Sequence, residues 1–147
     1  MSQKHVRTIP GRYEEVKNIC AFMVQGAEEA GLDESALFHV ELACDEACTN
    51  IIEHAYGGEG RGDIVASWQI DGNDFIMMLH DDGRVFNPDD VPDPTIPNQL
   101  TGEAALDSLQ VGGLGIHFMR KLMDEVRYQF DPDQGNTLIM VKKIGQE

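Results

Sequence analysis

Apolar positions along the chain change period several times, and each change marks an element. His5 to Ile9 reads as a short strand closed by Pro10-Gly11. From Val16 the apolar residues fall at Ile19, Cys20, Met23, Val24 and Ala27, one face of a helix that Gly31 ends. Asp33 is placed to cap a second, longer helix with the stripe Leu37, Val40, Cys44, Ala47 and Ile51, stopped by Tyr56-Gly57-Gly58. Ile64, Ala66, Trp68 and Ile70 alternate as a half-buried strand. Asp71-Gly72 predicts a hairpin, and Phe75 to His80 returns as an apolar strand of the kind buried on both faces. Residues 84 to 110 lose all periodicity and hold four of the six prolines, which predicts a long functional loop, a lid over a site. A helix carrying Phe118, Met119, Leu122 and Met123 inward follows it. Two strands, Val126 to Phe130 and Thr137 to Lys143, close the chain. Strands arriving in consecutive pairs predict an α+β two-layer sandwich: a mixed, largely antiparallel sheet with helices on one face.

Composition narrows the setting. The chain has 147 residues, the size of one domain, and its three cysteines form no CxxC pair. With no signal-like leader and no apolar run near membrane-spanning length, the expected location is the cytoplasm. A net charge of −15 makes nucleic acid and anionic membranes poor partners. It also means that any bound phosphate must be held by a metal ion and backbone dipoles rather than by many lysines.

Three segments carry candidate chemistry. Glu46, Asn50 and His54 are spaced four apart, one ridge of the second helix beside its core stripe, where polar groups would line a pocket at the helix–sheet edge. Asn50 offers a neutral oxygen suited to Mg²⁺ held mainly by phosphates and water, and Glu46 a carboxylate that can take a proton from a hydroxyl. His80-Asp81-Asp82-Gly83 ends a buried strand. A carboxylate there only accepts, so it matches an exocyclic amine such as adenine N6 and rejects a keto group, while Gly83 permits close approach of a flat ring. Gly112-Gly113-Leu114-Gly115 precedes a helix, and glycines there expose backbone N–H groups at the positive end of the helix dipole. Taken singly, the first is more often solvated surface and the second an ordinary turn. Cys44 and Cys48, one turn apart, fit core packing better than metal ligation.

In combination these parts resemble the GHKL (Bergerat-fold) ATPase superfamily, and within it the bacterial anti-sigma factor serine kinases. The resemblance is carried by Glu46-Ala47-Cys48-Thr49-Asn50, Asp81-Asp82-Gly83, Gly113-Leu114-Gly115-Ile116-His117-Phe118-Met119-Arg120 and Gly135-Asn136-Thr137. It covers the chain from the first helix onward. It implies one ATP-binding domain over residues 1–147 with a lid at about 84–111, and ATP or ADP with Mg²⁺ as ligands. Glu46 would be the general base, and Asn50 would hold Mg²⁺ and phosphate with His54 beside it. Asp81 with Gly83 would bind the adenine amine, helped by Thr137, and Gly112, Gly113, Leu114 and Gly115 would receive the phosphates. The implied partners are an anti-anti-sigma antagonist protein as the serine substrate, a sigma factor, and a second copy of the chain.

Two positions depart from the family pattern. Val85 stands where the superfamily has a second glycine, and Val111 where some members carry an arginine for the terminal phosphate. Residues 85 to 116 contain no lysine or arginine. These departures bear on the rate of transfer rather than on nucleotide binding. Beside the kinase they leave a second class of function, an ATP-gated partner-switching module with negligible kinase activity.

Overall fold

The computed structural model describes residues 4–84 and 119–144. Strand β1 (His5–Pro10) leads into α1 (Tyr13–Ala30) and α2 (Glu34–Asn50), which runs on as a π-helical turn over Ile51–Ala55. Strands β2 (Asp63–Asp71), β3 (Asp74–Asp81), β4 (Glu125–Asp131) and β5 (Gly135–Lys143) follow. The strands form one sheet in the order β1-β2-β3-β5-β4. Every pairing among the described residues is antiparallel. The expected lid and the Gly112–Gly115 segment lie outside the described residues.

Local chemistry fixes the helix ends. Gly31 takes φ 88° and its N–H bonds back into the last turn of α1, and the Asp33 carboxylate accepts from Ala36 N at 2.9 Å at the start of α2. The β2–β3 hairpin closes through Gly72 at φ 61°, with Asp71 paired to Asp74.

Strand parity then sorts the sheet into two faces. Ile64, Ala66 and Trp68 of β2, Phe75, Met77 and Leu79 of β3, and Leu138 and Met140 of β5 are buried in one core with α1 and α2. Ile76, Met78 and His80 lie on the other face and are half-buried, so β3 is not the doubly buried strand its composition predicts. Helix α1 can lie flat on β2 because residue 26 is glycine. A Cβ there would stand 2.3 Å from the Trp68 ring. The helix ahead of β4 is described only over residues 119–122, where Met119 points inward as expected and Met123, just past its end, is also buried.

Parity also decides the fate of the last residues of β3 and the first of β5. Asp81 and Asn136 fall on the helix-facing side, and His80 and Thr137 on the other.

Candidate functional site

The C-terminal end of α2 and the C-terminal end of β3 meet, and each fixes the other. The π-turn closes with Tyr56 N donating to Ile51 O at 2.9 Å. A helix end leaves its last carbonyls without helical partners. Here Arg84 takes two of them: its backbone N–H donates to Ala55 O at 2.9 Å and its Nε to His54 O at 2.7 Å. Between them Gly83 runs so close to the helix end that an added Cβ would lie 2.5 Å from Ala55 O. In the described structure, what demands glycine at 83 is therefore the helix end. Gly83→Ala should destabilise the protein by about 1–3 kcal/mol, the usual cost of overpacking. Chemical denaturation checks this, and an unchanged midpoint would contradict it.

Asp81 is buried, 3% exposed, and its Oδ1 accepts from Gly83 N and from Asn136 Nδ2, both at 2.9 Å. Burial pushes its pKa up, against the pull of these bonds and of His80. Asn136 Nδ2 also reaches Gly83 O at 3.2 Å and Arg84 O at 3.1 Å, so one amide ties together the whole turn from residue 81 to 84. Among the described residues its Oδ1 is buried without a partner. From the helix side, Tyr56 Oη accepts from Asp82 N at 3.0 Å and donates to Asp63 O at 2.5 Å.

Asn50 is the unusual residue of α2. Of the expected ridge beside the core, Asn50 proves to be part of the core: it is 1% exposed, and among the described residues neither Nδ2 nor Oδ1 has a partner. The reason is the width of the buried face. Val40, Ala43, Cys44, Ala47 and Cys48 are all buried, a broader band than the stripe the spacing marks, and Asn50 falls inside its margin. A buried amide without partners costs about 1–3 kcal/mol. Glu46, one turn earlier, is half-buried, and desolvation, with Asp45 and Glu53 nearby, raises its pKa. His54, half-buried in the π-turn, presents its carbonyl to Arg84.

The structure therefore brings together Asn50, Glu46 and His54 on one element and Asp81 and Gly83 against its end. It does not bring Thr137 to them. Thr137 faces the other side of the sheet, where its Oγ1 lies 3.0 Å from His80 Nδ1. The residue of β5 beside Asp81 is Asn136, which the motif reading passed over. Its signal was in the sequence: Leu138 and Met140 alternate inward, so position 136 does too. All three cysteines are free and buried, as core packing requires.

The residues present suit an adenine nucleotide with Mg²⁺. Asp81 and Asn136 Oδ1 offer acceptors to an amine, and the orphaned Asn50 amide has an unused oxygen one turn from a carboxylate. Among the described residues no group of three or more His, Cys, Asp or Glu side chains could hold a metal alone. A cation there would depend mainly on phosphate and water oxygens. A separate cleft of about 400 Å³, lined by Asp33, His39 and Lys142, lies at the other end of α2 and shares none of these residues.

Comparison with known proteins points the same way. Residues 9–142 match the histidine kinase-like ATPase domain. A serine-protein kinase RsbW of Bacillus licheniformis is 31% identical over 82% of this chain and 73% of its own. That of Bacillus subtilis is 30% identical over 95% of this chain and 84% of its own. One from Listeria innocua is 28% identical over 82% and 74%. The chain belongs to the histidine kinase-like ATPase family.

Proposed function

We propose that the chain is an ATP-dependent protein serine kinase that phosphorylates a small anti-sigma factor antagonist and itself acts as an anti-sigma factor. The observation that carries the reading is the buried Asn50 amide, unpartnered among the described residues, one turn after a half-buried glutamate and just ahead of the helix end that meets the Asp81 turn. Serine-protein kinase is also the activity named for its relatives.

In this reading Asp81, with Asn136 behind it, receives the adenine amine, and the turn pinned by Tyr56, Ala55 and His54 holds the acceptor still before the nucleotide arrives. Asn50 Oδ1 faces the phosphates. Mg²⁺, when bound, would neutralise charge on the phosphate oxygens during transfer. The substrate serine Oγ attacks the terminal phosphorus as the bond to the ADP oxygen breaks, and the serine proton passes to Glu46. Gly112 to Gly115 supply backbone N–H groups to the phosphates, and residues 1–147 act as one domain. The kinase works as a homodimer in the cytoplasm. Among the described residues no helix is long and apolar enough to cross a membrane.

Asn50→Ala tests the carrying observation. Removing two unpartnered buried polar groups should leave the nucleotide-free melting temperature unchanged or higher, although a small cavity is created. Mg-ATP should no longer stabilise the variant. Full stabilisation of Asn50→Ala by Mg-ATP would remove Asn50 from the site.

The raised Glu46 pKa gives the pH dependence. The base acts only when ionised, so transfer should rise with pH on a limb placed above the ordinary glutamate range. The limb should be missing from the residual rate of Glu46→Gln. A limb of the same position in both proteins would assign it to another group.

A further inference from the structure

Behind the candidate site, on the face of the sheet away from the helices, three side chains form a chain that the nucleotide reading leaves unused. Asp82 Oδ1 lies 3.3 Å from His80 Nε2, and His80 Nδ1 lies 3.0 Å from Thr137 Oγ1. A carboxylate only accepts, so Nε2 donates to Asp82, and His80 Nδ1 and the Thr137 hydroxyl form the second bond of the chain. The chain is closely backed. A Cβ on Gly135 would lie 2.5 Å from Asp81 O, 2.7 Å from Asp82 Oδ1 and 2.8 Å from His80 Nε2. Thr137 and His80 are cross-strand partners one pair from the end of the β3–β5 ladder, whereas Asp82 has left the strand for the turn.

We propose that Thr137, through His80 and Asp82, is a positioning residue for the nucleotide site: it fixes the outer side of the Asp81–Gly83 turn. The inner side is held by Tyr56 Oη on Asp82 N and by Asn136 on Asp81. The backbone of residue 82 is thus gripped from both faces of the sheet, and the direction of the Asp81 carboxylate follows from that grip. An acceptor set in advance binds a nucleotide more tightly because less ordering remains to be done on binding. Thr137 touches no nucleotide in this account. Its place in the motif reflects support from behind.

The inference rests on the reading that Asp81 receives the adenine, and the experiment separates the two. Calorimetric titration of the full chain with Mg-ADP is made on wild type, Thr137→Val, Thr137→Ser, Asp82→Ala and the Thr137→Val/Asp82→Ala pair. Thr137→Val keeps the shape and suits a strand. The Asp82 side chain is 81% exposed, so Asp82→Ala cuts the chain at its other end without touching the core. Each should weaken Mg-ADP about 2- to 12-fold, the range of one ordinary hydrogen bond. Thr137→Ser should restore affinity, and the double variant should be no weaker than the worse single, because both cut one chain. The KM for ATP should rise with kcat unchanged. Thr137→Val and Asp82→Ala binding like wild type, or their losses simply adding, would overturn the positioning role while the adenine reading stands. A wild type that binds no Mg-ADP would overturn both.

Discussion

Replacing Glu46 by glutamine should lower phosphorylation of the antagonist serine about 10²–10⁴-fold, the usual contribution of a positioned base. Mg-ATP affinity should stay close to wild type, because the proton moves only during the reaction. Glu46 is half-buried, so glutamine keeps its volume and removes a charge that burial and two acidic neighbours already disfavour. The folded protein should not lose stability. Labelling with radioactive ATP, run beside nucleotide binding, reads both quantities. Val111 and the absence of lysine and arginine from residues 85 to 116 predict that wild type is itself slow. The comparison therefore needs single-turnover conditions, in which a slow step is still measured. Equal labelling by wild type and variant, with the correct antagonist supplied, would remove Glu46 as base. That outcome would favour the partner-switching module over the kinase.

Asp81→Asn should weaken ATP by about 10- to 150-fold, the worth of a hydrogen bond to a charged group. The same variant should be more stable without nucleotide at neutral pH. The sign follows from the raised pKa. The folded state prefers Asp81 protonated, so its favourable share is present in acid and lost as pH rises through the folded-state value. At neutral pH the buried charge therefore opposes folding, and an amide of the same shape relieves it. Asparagine can still accept from Gly83 N and Asn136 Nδ2 through its oxygen, so the turn survives. Thermal unfolding with and without ATP measures both effects. A variant less stable than wild type, or one that keeps full ATP affinity, would contradict the role given to Asp81.

Much of this was legible in the chain because the signals are local. Asp33 as a cap, Gly31 as a stop, the Asp71-Gly72 hairpin and the lengths of both helices follow from residues a few positions apart. The strand order was less open to reading. β5 inserts between β3 and β4, and that pairing links residues some sixty positions apart, such as His80 and Thr137. The site divides in the same way. Glu46, Asn50 and Asp81 stand out by spacing and by their place at element ends. Tyr56 does not, because its hydroxyl finds Asp82 from the far end of a glycine-rich loop and looks in sequence like a helix stop. Spacing sets Asn50 beside the core stripe and not within the core, because it gives the direction of a helix face and not the breadth of what packs on it. The motif names three consecutive residues, Thr137 among them, while a strand presents only alternate ones to a given face. The alternation of Leu138 and Met140 assigns the inward position to Asn136.

The central claim is that Asp81 and Asn136 present acceptors to an exocyclic amine. Titrating the wild-type chain with Mg-ADP and with Mg-GDP, followed by thermal shift, tests it most directly. Adenine offers an amine where guanine offers a keto oxygen, which the buried carboxylate would repel. Strong stabilisation by Mg-ADP, and little or none by Mg-GDP at the same concentration, is the expected result. Equal stabilisation by the two nucleotides would contradict it.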